Sequence, residues 1–137
     1  MHKGLKVFVA CGGILCWISA ATAAGQEEAL LAVPSGLPLT ALDPILESQP
    51  DGSSWARFRF VAPELAEDFD YLSVADDFAH LCTKYALPQL GESVESISQI
   101  VISLSSQDLE FGATRPDVIQ FFEAFSVNSD RCIWEAF

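Results

Sequence analysis

Twelve apolar residues, Val7 to Ile18, stand between a short basic start and a run of small residues, and this arrangement decides the compartment in which the remaining chain folds. His2, Lys3 and Lys6 supply the positive start, and Ala21-Thr22-Ala23 fits the small-residue pattern read by signal peptidases. A helix that spans a bilayer needs about 20 apolar residues, so this run is too short for one. Residues 1–23 are therefore read as a signal peptide cut after Ala23, with Ala24 as second choice. An uncleaved anchor is the alternative. Lipid attachment fits poorly, because little apolar sequence precedes Cys11 and Cys16 follows Leu15 rather than a small residue.

Export sets both the redox chemistry and the charge. Cleavage removes Cys11 and Cys16 and leaves Cys82 and Cys132. In an oxidising compartment a remaining pair is expected to form a disulfide, and two cysteines allow one intramolecular connectivity. Two free thiols or an intermolecular bond are the alternatives. All 19 acidic residues lie beyond Ala23, while Lys3 and Lys6 of the 7 basic residues are lost, so the mature formal charge is −14. Such a surface repels nucleic acid and anionic lipid head groups. After cleavage no integral membrane segment is expected, and periplasmic residence is favoured over full secretion.

The remaining length suits one domain, with residues 24–36 as a flexible leader and 37–137 as the folded unit. Leu37 to Glu47 is apolar and extended, and Pro38 and Pro44 place it at a sheet edge. Gln49-Pro50-Asp51-Gly52 marks a turn. Trp55 to Val61 alternates, with Ala56, Phe58 and Phe60 on one face and Trp55, Arg57 and Arg59 on the other. That is a half-buried strand paired in a hairpin with the segment before it. Glu64 to Ala86 is the main helix, since Tyr71, Val74, Ala75, Phe78, Cys82 and Tyr85 share one face and Pro88 marks its end. Ile97 to Leu104 is a strand, Asp108 to Phe111 a possible short one, and Phe121 to Phe137 a closing hairpin. The order β-β-α-β-(β)-β-β indicates an α+β domain: an antiparallel sheet of about five strands with one main helix packed on it.

Within that hairpin, a three-residue turn at Asn128 to Asp130 would set Glu123 opposite Glu135. Directly opposed like charges destabilise a sheet. A two-residue turn with a shifted register is the favoured resolution, because it needs no trapped cation and no raised carboxyl pKa.

Several short motifs recur in a known group. Val33-Pro34-Ser35-Gly36, His80-Leu81-Cys82, Phe111-Gly112 and above all the ending Cys132-Ile133-Trp134-Glu135-Ala136-Phe137 resemble an uncharacterised family of small exported alphaproteobacterial proteins, a domain of unknown function. The resemblance covers most of the mature chain. It implies a bacterial exported domain and carries over no functional residue.

The residues that bear chemistry are few. His80 is the single histidine after cleavage, and Asp76 and Asp77 lie four and three residues before it on the same helix, within reach of one another. The three form a candidate metal or acid–base cluster, although a solvated acidic helix face is the plainer reading and a metal site needs more ligands. No H-E-x-x-H, G-x-S-x-G, C-x-x-C, Walker A or dinucleotide motif occurs, and Ser103, Ser105 and Ser106 read as strand-end residues. Trp55, Arg57 and Arg59 make a basic–aromatic stripe on an otherwise acidic chain. It suits an acidic protein or a carboxylate ligand, while cross-strand pairing with Asp43 or Glu47 is the plainer alternative. A terminal Phe137 also ends outer-membrane barrels, but a barrel needs at least eight strands, which this chain lacks. The expected function is an exported binding or interaction module without catalysis or cofactor. The rival readings are a small enzyme or metal-binding protein using His80 with Asp76 or Asp77, and an envelope assembly factor.

Overall fold

The computed structural model describes residues 31–66 and 69–136, together with the isolated Gly4, Gly12 and Gly13. Apart from those three glycines, the segment read as a signal peptide lies outside the described residues, as do residues 24–30 of the expected leader.

The chain builds a six-stranded sheet with one helical segment on one face. An edge strand broken near Pro44 gives β1 (Thr40–Ala41) and β2 (Ile45–Ser48), which both pair antiparallel with β3 (Ser54–Val61). The alternation in β3 works as its sequence requires. Ala56, Phe58 and Phe60 are buried on the helix side, while Trp55, Arg57 and Arg59 stay half-buried on the other. Helix α1 (Tyr71–Leu81) follows, then β4 (Ile97–Ser105), β5 (Gln120–Asn128) and β6 (Arg131–Glu135). The hydrogen-bonded order is β1-β3-β4-β5-β6.

The α+β class and the single main helix match the sequence reading, and the sheet is mostly antiparallel. Its central pair is the departure: β3 and β4 run parallel, from Ser54 opposite Ile97 to Val61 opposite Ser105. The helix between them carries the chain back to the end of the sheet where β3 began, and a crossover of that kind can deliver only a parallel neighbour. Asp108 to Phe111 forms no strand and belongs instead to a loop.

The helix also differs at both ends. It begins at Tyr71 rather than Glu64, because the Asp70 carboxylate caps it by accepting from the backbone N–H of Leu72 at 3.1 Å. It does not stop before Pro88. The turn Cys82–Ala86 widens to a π-helix, the Leu87 N–H reaches the Cys82 carbonyl, and α2 (Leu87–Leu90) continues through Pro88. Proline has no N–H to give to the carbonyl four residues back and its ring crowds that group, so a widened turn ahead of it relieves the conflict. A short 3-10 segment, Gly91–Ser96, then leads into β4.

Val74, Phe78, Leu81, Cys82 and Ala86 pack on Phe58, Phe60, Ile100, Ile102, Leu104 and Phe125 to form the core. Tyr85 meets Phe58 and Phe60 edge-on, with centroids 6.1 and 5.3 Å away. The described half of the presumed leader is fastened to this core. Leu31 bridges to Leu39, Val33 and Leu37 are buried, and the turn Val33 to Gly36 is closed by a 2.9 Å hydrogen bond from the Gly36 N–H to the Val33 carbonyl. Cys82 and Cys132 form a disulfide, which ties the widened helical turn to the last strand.

Candidate functional site

The helix covers one face of the sheet and leaves the other for polar residues. On that face the parallel register sets Arg59 beside Ser103 and Arg57 beside Val101, and the antiparallel β4–β5 register extends the rows to Phe122 and Ala124. Residues 106–119, between β4 and β5, fold over these rows as a loop. Its neck is closed by the Ser106 N–H donating to the Ile119 carbonyl at 2.9 Å and the Ile119 N–H donating to Ser106 Oγ at 3.0 Å. Compact loops with closed necks frequently serve function. Between loop and sheet lies an open cleft of about 280 Å³, with Arg57, Arg59, Val101 and Ser103 at its floor and Leu109, Phe111 and Thr114 along the loop side.

The tip of the loop sets one wall. The Ala113 N–H donates to the Glu110 carbonyl at 2.9 Å, closing a turn with Gly112 at its third position and φ of 82°. A side chain is strained in that left-handed region, which is why glycine stands there. The turn projects Phe111, 56% exposed, over the Arg57 guanidinium at 5.2 Å from the ring centroid, and the Trp55 ring lies 5.6 Å from the same group. The Arg57 guanidinium is thus within reach of two aromatic rings, each adding about 0.5–1 kcal/mol of attraction at an exposed site.

Arg57 Nε also donates to Glu47 Oε2 at 2.7 Å, across the β2–β3 pair. The donated hydrogen bond holds the Glu47 carboxyl below the usual carboxylate range. Cross-strand pairing, the plainer reading of this stripe, is therefore realised for Arg57 through Glu47. It occupies only Nε of the guanidinium. Arg59 is anchored differently, with Nη1 donating to the Leu109 carbonyl of the loop at 3.0 Å. Its Nε and the neighbouring Ser105 Oγ are buried and have no hydrogen-bond partner among the described residues. A buried donor left unpaired costs about 1–3 kcal/mol.

The second candidate cluster is divided by its own helix. Asp77 is fully buried, and its carboxylate accepts from the Ser35 N–H at 2.9 Å and from Ser35 Oγ. Asp76 is exposed and His80 half-buried. Among the described residues no group of three histidine, cysteine or acidic side chains is arranged to hold a metal. Through these bonds Asp77 pins the Pro34-Ser35 turn to the helix. Sequence spacing placed Asp77 on the acidic face, and only its long-range partner in the amino-terminal segment accounts for its burial.

Glu123 was singled out in the sequence only as half of a charge clash. The turn of the closing hairpin is the two-residue one, Ser129-Asp130, with Asn128 opposite Arg131, so Glu135 pairs with Ala124 and the clash is avoided. Glu123 instead accepts hydrogen bonds from the Tyr71 hydroxyl and the Trp134 indole on the helix side.

A family model described as a family of unknown function, DUF6497, matches residues 14–137. No curated protein and no solved structure matches the chain. Among the described residues no helix is long and apolar enough to cross a membrane.

Proposed function

We propose a function from one premise: the chain belongs to the DUF6497 family, whose function is unknown, so its activity has to be read from its own residues. The protein is an exported, periplasmic binding module without catalysis of its own, and its ligand carries a carboxylate that enters the cleft at Arg57 and Arg59. One observation carries this reading. The Arg57 guanidinium lies against the Trp55 and Phe111 rings beside a cleft of about 280 Å³ on the sheet face that no described helix covers. A guanidinium fixed in this way has less rotamer freedom to lose when it meets a planar anion, and guanidinium–carboxylate pairing is both directional and strong. The size lies just under the usual range of small-molecule pockets. Leu109, Phe111 and Val101 give the site apolar walls, so a carboxylate with a short apolar body fits better than a bare inorganic anion. Export accords with the Cys82–Cys132 disulfide, which is at home in an oxidising compartment.

The test is calorimetric titration with a panel of small apolar carboxylic acids, each run against its neutral primary amide. The acids should bind saturably and the amides at least about tenfold more weakly, as expected when a charge-assisted pair is lost. Arg57→Gln/Arg59→Gln, checked for folding by circular dichroism, should remove the difference. Equal binding of acid and amide, or equal behaviour of wild type and variant, would reject the reading.

A further inference from the structure

On the opposite face of the sheet, at the β5–β6 edge, a second hollow of about 280 Å³ lies between the helix and the last strand. Four aromatic residues, Tyr71, Phe78, Phe125 and Trp134, two alanines of α1 and the carboxylate of Glu123 line it. We infer that this hollow binds a small organic ammonium ion, with Glu123 facing the charge and the Tyr71 and Trp134 rings against it. Nothing in this inference depends on the arginine cleft, since Phe122 and Glu123 alternate across β5 and serve opposite faces.

Charge is the first ground. Among the described residues Glu123 receives only neutral donors, the Tyr71 hydroxyl and the Trp134 indole N–H. The ion pairs among the described residues involve Glu47 and Asp117. Among the described residues no cation pairs with Glu123. A carboxylate offers about four acceptor positions, and two neutral donors leave the others open.

Ring chemistry is the second ground. Aromatic faces attract cations through their quadrupole, tryptophan best, and cages of such rings recognise alkylated ammonium groups. Trp134 is exposed and Tyr71 half-buried at the hollow, while Phe78 and Phe125 lie buried behind them. Tyr71 stacks near Phe78 with centroids 5.9 Å apart and meets Phe121 edge-on at 5.8 Å. Trp134, 58% exposed, is oriented by its bond to Glu123 from the adjacent strand, and Phe125 lies directly across the strand pair from it. Other ligand classes fit less well. An anion meets the charge of Glu123. A neutral apolar molecule strips water from that carboxylate and returns no interaction. An alkylated ammonium, weakly hydrated and apolar at its surface, satisfies rings and carboxylate together.

The experiment is a titration of the full chain with choline chloride at constant ionic strength, following the indole N–H resonance of Trp134 by heteronuclear NMR. A saturable shift is expected. The uncharged isostere 3,3-dimethylbutan-1-ol should bind at least about tenfold more weakly, and Glu123→Gln should weaken choline by a similar factor. Trp134→Ala, which leaves the carboxylate in place, should abolish binding measured by calorimetry. Phosphatidylcholine vesicles form a second arm: broadening of the Trp134 signal would identify a lipid head group as a source of the ammonium, and its absence would assign the site to free ligands. The inference falls if choline gives no saturable shift, if the isostere binds equally well, or if Glu123→Gln binds choline as the wild type does.

Discussion

Cys82 and Cys132 are bonded with their Cα atoms 6.2 Å apart at a sequence separation of 50. The bond joins the widened turn of the helix to the edge strand β6, which among the described residues pairs with β5 alone. Closing a loop of this length removes denatured-state entropy equivalent to about 4 kcal/mol. That is a large part of the roughly 5–15 kcal/mol that stabilises a small domain. Mature protein should be lighter by two hydrogens than its reduced form in non-reducing mass spectrometry. Cys82→Ala/Cys132→Ala should lower the urea unfolding free energy by up to about 4 kcal/mol. Native material with two alkylatable thiols would contradict the pairing.

The buried Asp77 makes a separate prediction. Its carboxylate holds Ser35 across 42 residues of chain. Asp77→Ala should cost about 1–3 kcal/mol by leaving Ser35 unpaired. The loss should be local as well as global. Amide exchange at Leu37 and Leu39 should quicken more than at Ile100 or Ile102, because the turn at residues 33–36 is what Asp77 secures. Uniform acceleration across the sheet would show that Asp77 supports the whole core instead.

Tyr71 connects stability to alkaline pH. Its phenol is pushed up to about 12, first by burial, then by the hydrogen bond it donates to Glu123 and by the repulsion of that carboxylate. An unfolded tyrosine ionises near pH ~10. The folded protein thus holds the proton more tightly, and the associated stability is fully present below pH ~10 and lost as the pH climbs towards about 12. Tyr71→Phe has no such proton. Urea midpoints of wild type and variant should differ most at neutral pH and converge across that window. A difference that stays constant up to the top of the window would assign the role of Tyr71 to ring packing alone.

Export has its own measurement. Mature protein from the native host should begin at Ala24 or within a residue of it by amino-terminal sequencing. Recovery of Met1 as the first residue would remove the export reading and restore Lys3 and Lys6 to the charge balance.

The motifs that suggested a family also find physical roles. Ser35 of Val33-Pro34-Ser35-Gly36 is the partner of Asp77, and Phe111-Gly112 supplies the ring over Arg57. Cys132 and Trp134 from the chain end supply the disulfide and one wall of the aromatic hollow.

Whatever depends on the alternation of side chains along one element was legible in the sequence. The period of two in Trp55 to Val61 separates core from surface in β3, and the three- and four-residue steps from Tyr71 to Tyr85 mark the buried helix face. Cysteine count, together with the compartment expected from the export signal, named the disulfide. Tertiary structure alone decided which elements are neighbours. Periodicity says which side of a strand is apolar and is silent on the partner strand, so the parallel β3–β4 pair was hidden. Asp77 sits at a polar position by its chemistry and in the core by its partner Ser35. Pro88 carries a local stop signal, which the packing of Ala86 and Leu87 on the sheet outweighs by way of a widened turn. The same holds for both hollows: Arg57 and Phe111 are 54 residues apart and Tyr71 and Glu123 are 52 apart, and separations of that order are closed only by the packed core.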